Sequence, residues 1–307
     1  MKDDMENDTQ LELKEQPGFI QKLKSIRKIL RWLLIPILLW IALQHLDSIY
    51  LELQEVDLNP SYLIFLGLFV LCIFCSQAGV TKTIVDASDS KISFFKAIQL
   101  NIAGGFWGLV MPFGSASYKA QALKLDYQIS IKRYASMFLF STLLSAWLSA
   151  IFLCATVIKL PLWPYRLVFM GVGGVSLLMI PIFYFMKYKQ SHLADLPVKG
   201  LGSWHVLGLL SYIGLYYFCF KTLGWPIPLI ALSAWVAVQS LLFVFPLVPG
   251  NLVIMEALGA YLLVQQNLSA ESVVIGITLM RLACLLGLLC LSPWVAFGRA
   301  REKVKVS

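Results

Sequence analysis

The chain has 307 residues, 59% of them hydrophobic and only 14% charged, and its mean hydropathy is +0.76. That balance excludes an ordinary soluble domain. A net charge of +8 would suggest nucleic acid in a soluble protein. Here the basic residues gather at the ends of apolar runs, as in a membrane topology signal, so no nucleic-acid partner is expected. Several runs reach the roughly 20 apolar residues that a helix needs to cross about 30 Å of hydrocarbon. The expected fold is an all-α polytopic helical membrane protein. A single transmembrane domain, 31–298, would lie between a polar cytoplasmic tail, 1–30, and a basic cytoplasmic tail, 299–307.

In chain order, the tail is polar and mixed in charge through Pro17-Gly18. Lys22, Lys24, Arg27, Lys28 and Arg31 then precede a first span at about 32–46 and place the N-terminus in the cytoplasm. The next loop holds Asp47, Glu52, Glu55 and Asp57 and is expected outside. A second span, about 61–81, returns to Lys82, Lys91 and Lys96. An interrupted apolar segment follows at about 92–125, and Lys124, Lys132 and Arg133 make its far flank cytoplasmic too.

Spans at about 134–158, 167–185 and 204–223 cross outward, back and outward again. A second interrupted segment occupies about 227–266, and a last span, about 273–297, ends at Arg299, Arg301, Lys303 and Lys305. With both termini cytoplasmic, the second interrupted segment begins and ends outside. One interrupted segment thus enters from each face, the pattern of an inverted-repeat bundle. Each arm is near the length limit for crossing, so re-entrant and fully spanning hairpins both fit.

The two interruptions share a spacing. The first reads Met111-Pro112-Phe113-Gly114-Ser115-Ala116-Ser117-Tyr118-Lys119 after Ala97-Ile98-Gln99. The second reads Val248-Pro249-Gly250-Asn251-Leu252-Val253-Ile254-Met255-Glu256 after Ala237-Val238-Gln239. In each, one charge follows the proline by seven residues: Lys119 in one, Glu256 in the other. Paired breaks in two halves of a membrane protein point to a binding site near the midplane. Irregular backbone at that depth must face protein or a wet cavity. Each proline ends one half-helix, and the free N–H groups opening the next favour an anion. Ser115, Ser117 and Asn251 can add hydrogen bonds and Lys119 a full charge, a set suited to a headgroup phosphate. The same residues also fit kinked helices with packing glycines.

Glu256 and Arg281 are lone charges in apolar sequence. Such groups usually face the interior and pair, so they are expected to form an ion pair or to share a proton or headgroup between them, with a purely structural salt bridge as the alternative. Gly104, Gly105 and Gly108 read as helix-packing positions. Trp32, Tyr50, Trp163, Tyr165 and Trp294 fit interfacial belts, and His45, His192 and His205 carry no assigned role. The six cysteines, including Cys72 and Cys75, lie in apolar runs without a histidine or carboxylate cluster. No G-x-S-x-G, P-loop, HExxH or Asp-rich loop is present. The expectation is no enzyme, no catalytic residue, no metal and no cofactor.

The element Pro249-Gly250-Asn251-Leu252-Val253-Ile254-Met255-Glu256 resembles the P-G-N-L-G-x-x-E element of the lysylphosphatidylglycerol synthase transmembrane-domain family and its stand-alone, flippase-like relatives. The earlier stretch with Pro112, Gly114 and Lys119 resembles that family's P-x-x-x-G element with a following basic residue. The chain departs from the pattern at Val253, where glycine is usual, at Met255, where arginine is common, and at Phe140-Ser141-Thr142-Leu143, which replaces an acidic-basic pattern.

The resemblance implies a multi-pass protein of the bacterial cytoplasmic (inner) membrane that moves or binds a phospholipid or a lipid-linked glycan precursor. In the synthases this domain precedes a soluble aminoacyl-transferase domain, and a chain ending at Ser307 implies the translocation part alone. A non-transporting accessory role in envelope glycolipid assembly is the alternative, and a membrane-embedded transferase a lesser one. A homo-oligomer and envelope-biosynthesis partners are both compatible with these readings. The turns, the lone charges and the resemblance together make Pro112, Gly114, Ser115, Ser117, Lys119, Pro249, Gly250, Asn251, Glu256 and Arg281 the candidate substrate-binding residues.

Overall fold

Every regular element among the described residues is a helix, and no strand occurs among them. The structure is a computed structural model that describes residues 50, 51, 54, 56, 59–88, 90–110, 114–157, 193, 195–225, 227–242, 259, 263 and 268–306. The chain divides into two compact units, Met1–Leu51 and Glu52–Ser307. In the first, Tyr50 and Leu51 are helical and exposed. The second holds α1 (Leu63–Asp86), α2 (Phe94–Val110), α3 (Gly114–Tyr127), α4 (Ile131–Val157), α5 (Val198–Thr222), α6 (Leu229–Leu242) and α7 (Ala270–Val306).

Among the described residues, four stretches are long and apolar enough to cross a membrane: Pro60–Asp86, Ile131–Thr156, Val198–Thr222 and Ala270–Pro293. They correspond to the second, third, fifth and last expected spans. The spans expected at about 32–46 and 167–185 lie outside the described residues. Several helices outrun their apolar cores because polar residues prolong them. On α1 the Lys82 ammonium meets the Asp86 carboxylate at 2.6 Å, one turn apart. That pair carries the helix about a turn beyond its apolar stretch. α7 continues through Pro293 into the basic segment.

α1 and α5 run antiparallel, because contacts that climb one helix descend the other. Gly214 faces Phe69, Gly208 faces Ser76, and Gly79 sits under the Trp204 ring, where a Cβ would collide. At one end of this pair the Asn59 N–H donates to the Thr222 carbonyl at 2.9 Å. α5 stops there in a Schellman turn. Gly224 adopts φ 76°, its N–H donates to the Lys221 carbonyl at 3.2 Å, and the Trp225 N–H donates to the Phe220 carbonyl at 3.0 Å. Trp225 packs on Phe220, the apolar contact that accompanies such a cap. The following helix, α6, therefore starts at this Asn59 end. So does α7, whose early Gly276 abuts Phe220.

The opposite end gathers both flanks of the first interrupted segment. Lys82 donates to the Ile92 carbonyl at 3.0 Å, Ser90 to the Tyr127 carbonyl at 3.2 Å, and Arg133 to the Ala87 carbonyl at 3.3 Å. α2 therefore leaves this end and α3 returns to it.

Two apolar clusters fill the unit. One packs α1, α5, α6 and α7 around the fully buried Trp235 and Tyr216. The other packs the far half of α1 against α2, α3 and α4 around Leu123 and Met137. The change-over on α1 falls between Phe74 and Ala78.

Candidate functional site

α2 and α3 form an antiparallel hairpin whose closeness depends on small residues. Gly104 faces Ser115 and Lys119, and Gly108 faces Ser115, one turn nearer the bend. A Cβ on Gly114 would collide with the Trp107 carbonyl, so this position takes glycine for lack of space rather than for an unusual backbone. Small residues that let backbones approach are the usual device for packing helices in lipid. Gly105 does the same on another face, against Leu288 of α7.

Ser115 and Lys119 are one turn apart on α3 and share a face. That face opens on a cavity of about 410 Å³ between α1, α2, α3, α4, α5 and the end of α6. The Lys119 side chain is 8% exposed, and its ammonium donates to Asn101 Oδ1 at 2.7 Å. Asn101 is 1% exposed. Its amide nitrogen donates to Thr81 Oγ1 at 2.9 Å and to the Ala97 carbonyl at 2.8 Å. Those bonds, with a longer one to the Gln77 carbonyl at 3.3 Å, occupy both amide hydrogens and so turn the amide oxygen toward the lysine.

Among the described lining residues Lys119 alone carries a formal charge, and no carboxylate lines the cavity. Burying an ammonium without a counter-charge costs several kcal/mol, which Asn101 offsets only in part. An ammonium has three donors, and one of Lys119's is used on a described residue. The rest of the lining is rich in hydroxyls. On α4, Ser141, Ser145 and Ser149 recur every four residues, and on α5 His205 Nε2 lies 2.9 Å from Ser141 Oγ. Gln77 of α1 and Tyr212 of α5 also line the cavity. Ser240 of α6 reaches the cavity from the second interrupted segment.

Of the residues expected to form the site, the structure brings Ser115 and Lys119 together in the cavity and places Gly114 at the root of their helix. Ser117 is exposed, on a different face. Arg281 lies on α7, away from the cavity lining, and its charge acts on the buried Tyr216 phenol. Tyr216 in turn packs edge-on against Trp235, ring centres 6.4 Å apart. Pro112, Pro249, Gly250, Asn251 and Glu256 lie outside the described residues, so the expected Glu256–Arg281 pair does too.

Sequence reasoning missed Asn101, His205 and the serine row of α4. The row had a legible signal, since three serines spaced by four share one helical face. Asn101 and His205 had none, because only tertiary contact gives them partners. No group of three or more potential metal ligands occurs among the described residues. No family model, no curated protein and no solved structure matches the chain.

Proposed function

We propose that this is a multi-pass membrane protein that binds, and moves between leaflets, a lipid with an anionic headgroup. The observation that carries the reading is the buried Lys119 ammonium in a hydroxyl-lined cavity with no other formal charge among its described lining residues. An ionisable residue at membrane depth faces a cavity or a partner and marks a substrate pathway by default. At about 410 Å³ the cavity falls within the roughly 300–1,000 Å³ of small-molecule sites. That is room for a headgroup, with the acyl chains left in the bilayer.

The inverted-repeat architecture belongs to the same proposal. The first interrupted segment has both flanks at the Ile92 end, and the described flanks of the second lie at the Asn59 end. The matched positions also share their burial. Ala97 and Ala237 are fully buried, and Gln99 and Gln239 nearly so. At 1.5 Å per residue, α2 with 17 residues and α3 with 14 would extend about 25 Å and 21 Å, short of about 30 Å of hydrocarbon. We read them as re-entrant arms. Lys82, Lys91, Lys124, Lys132, Arg133 and Lys199 gather at the Ile92 end, which the positive-inside rule makes cytoplasmic. In this reading the membrane is the bacterial inner membrane, and one repeat rocks against the other to expose the site alternately.

The test is reconstitution in vesicles with fluorescent phospholipids and leaflet-selective quenching. Anionic lipids should exchange faster than in protein-free vesicles, and Lys119→Met should remove the acceleration. Lipid that co-purifies with the protein but never exchanges would replace transport with the accessory, lipid-holding role. No acceleration and no retained lipid would end the lipid reading.

A further inference from the structure

α5 turns one face to the cavity, where His205, Gly208, Leu209 and Tyr212 line it at intervals of three and four residues. His205 is half-buried there, and its Nε2 lies 2.9 Å from Oγ of Ser141 on α4. Ser141 is 2% exposed. A hydrogen bond to one serine does not call for an imidazole, since a glutamine amide makes the same bond. What the imidazole adds is a proton that comes and goes between about pH 5 and 8. Ionisable groups at membrane depth are costly, and those that line a cavity mark ion pathways and proton relays.

The charges around His205 decide when that proton is held. α3 presents Lys119 to the cavity and α4 presents Tyr134, while Tyr212 shares the face of His205. The described lining residues of α1, α2 and α6 are uncharged, and α7 contributes none among the described residues. On α1, Lys82 and Asp86 pair with each other outside that lining. Without an anion, a protonated His205 would add a second cation to a cavity whose described lining offers no carboxylate, and the like charge disfavours it. An anion beside Lys119 cancels that repulsion. Protonation also fixes the bond to α4. Neutral His205 accepts from Ser141 or donates to it according to its tautomer. Once both ring nitrogens carry hydrogen, Nε2 donates to Ser141 Oγ and leaves the serine's own hydrogen for the anion.

We propose that His205 is a proton-coupling site: each anion that enters the cavity is accompanied by one proton on the His205 imidazole, drawn from water on the side to which the cavity is open and released when the anion leaves. The coupling is reciprocal, so the anion favours the imidazolium and the proton favours the anion by the same factor. Affinity for the anion is therefore highest at acid pH and falls as pH rises. The proposal rests on the anionic-lipid reading above and adds its energy source. A monoanionic lipid and a proton cross as a neutral pair, and a pH gradient drives the lipid toward the leaflet on the alkaline side.

The full-length protein in detergent micelles would be titrated with dihexanoyl phosphatidylmethanol, a phosphodiester whose charge does not change in this range and which carries neither an amine nor a free hydroxyl. Its affinity should rise roughly tenfold from pH 8 to pH 5, an ordinary size for coupled sites. Calorimetry at about pH 6.5, in buffers of different ionisation enthalpy, should show about half a proton taken up per anion bound. His205→Gln keeps the bond to Ser141 and should bind the lipid without proton uptake and with an affinity flat between about pH 5 and 7. Lys119 is unaltered in that variant, which isolates the imidazole. In vesicles with an imposed pH gradient, a fluorescent analogue of the same lipid should accumulate in the leaflet facing the alkaline side, and His205→Gln should remove the bias.

Binding without proton uptake by the unaltered protein would overturn the coupling and leave the anionic-lipid reading standing, and that measurement does not depend on any variant folding. A pH dependence that His205→Gln retains would do the same. Proton uptake on binding with no bias in the gradient would overturn the carriage of the proton across the membrane. No binding at any pH would end the anionic-lipid reading and the coupling with it.

Discussion

Lys119 and Asn101 depend on each other in opposite ways. The ammonium needs the amide oxygen because nothing anionic lines its cavity among the described residues. The amide is held by Thr81 and Ala97 whether or not the lysine is charged. Removing Asn101 alone therefore strands a buried charge, whereas removing both leaves an apolar contact. Asn101→Leu is expected to lower unfolding stability by about 1–3 kcal/mol, the scale of a lost hydrogen bond to a charged group. The Lys119→Met/Asn101→Leu double variant should recover part of that loss. Reversible unfolding in mixed detergent micelles measures it, and a double variant less stable than Asn101→Leu would contradict this account of the pair. Lys119 was legible in the sequence because a charge seven residues after a proline in an apolar segment stands out. Its partner was not, because an asparagine in a helix announces nothing until another helix arrives.

At the scale of the element, the hairpin of α2 and α3 is set by where glycine is required and where it is merely present. On Gly114 a Cβ would meet the Trp107 carbonyl, an atom of the backbone that cannot swing away. On Gly67 of α1 nothing lies within 4 Å. Gly114→Ala should destabilise by about 1–3 kcal/mol, the cost of overpacking, while Gly67→Ala should be neutral or stabilise by up to about 1 kcal/mol through helix propensity. The same unfolding assay compares them, and equal effects would mean that the bend does not set the helix approach. Of the other glycines expected to pack helices, Gly104 and Gly105 would bring a Cβ within 2.9 Å of Ser115 Oγ and 2.8 Å of a Leu288 methyl, whereas Gly108 leaves an ordinary 3.5 Å to Ser115. Hydropathy located four apolar helices but ended some of them early, since ion pairs such as Lys82–Asp86 prolong a helix without adding apolar residues. The serine row of α4 was hidden for a related reason. Serine spoils neither a helix nor a hydropathy window, so a polar stripe passes unmarked inside an apolar span.

For the whole molecule, the charge map and the helix geometry are independent lines that can be set against each other. The map uses only where Lys and Arg fall in sequence. The geometry uses only hydrogen bonds and close contacts within the larger unit. Geometry puts Ser61 and Ala270 at the Asn59 end, and Lys91 and Asp126 at the end where α1 meets the first hairpin. The positive-inside rule then makes the second group cytoplasmic. Single cysteines at these four positions, each exposed, convert the argument into a measurement. The native cysteines all lie within helices, and unaltered protein labelled in parallel supplies the background. A membrane-impermeant thiol reagent applied to intact cells should label Ser61→Cys and Ala270→Cys, and should reach Lys91→Cys and Asp126→Cys only after permeabilisation. Labelling of all four in intact cells would place both interrupted segments on one face. The two half-helix breaks would then open toward the same leaflet, and alternating exposure by rocking repeats would lose its structural basis.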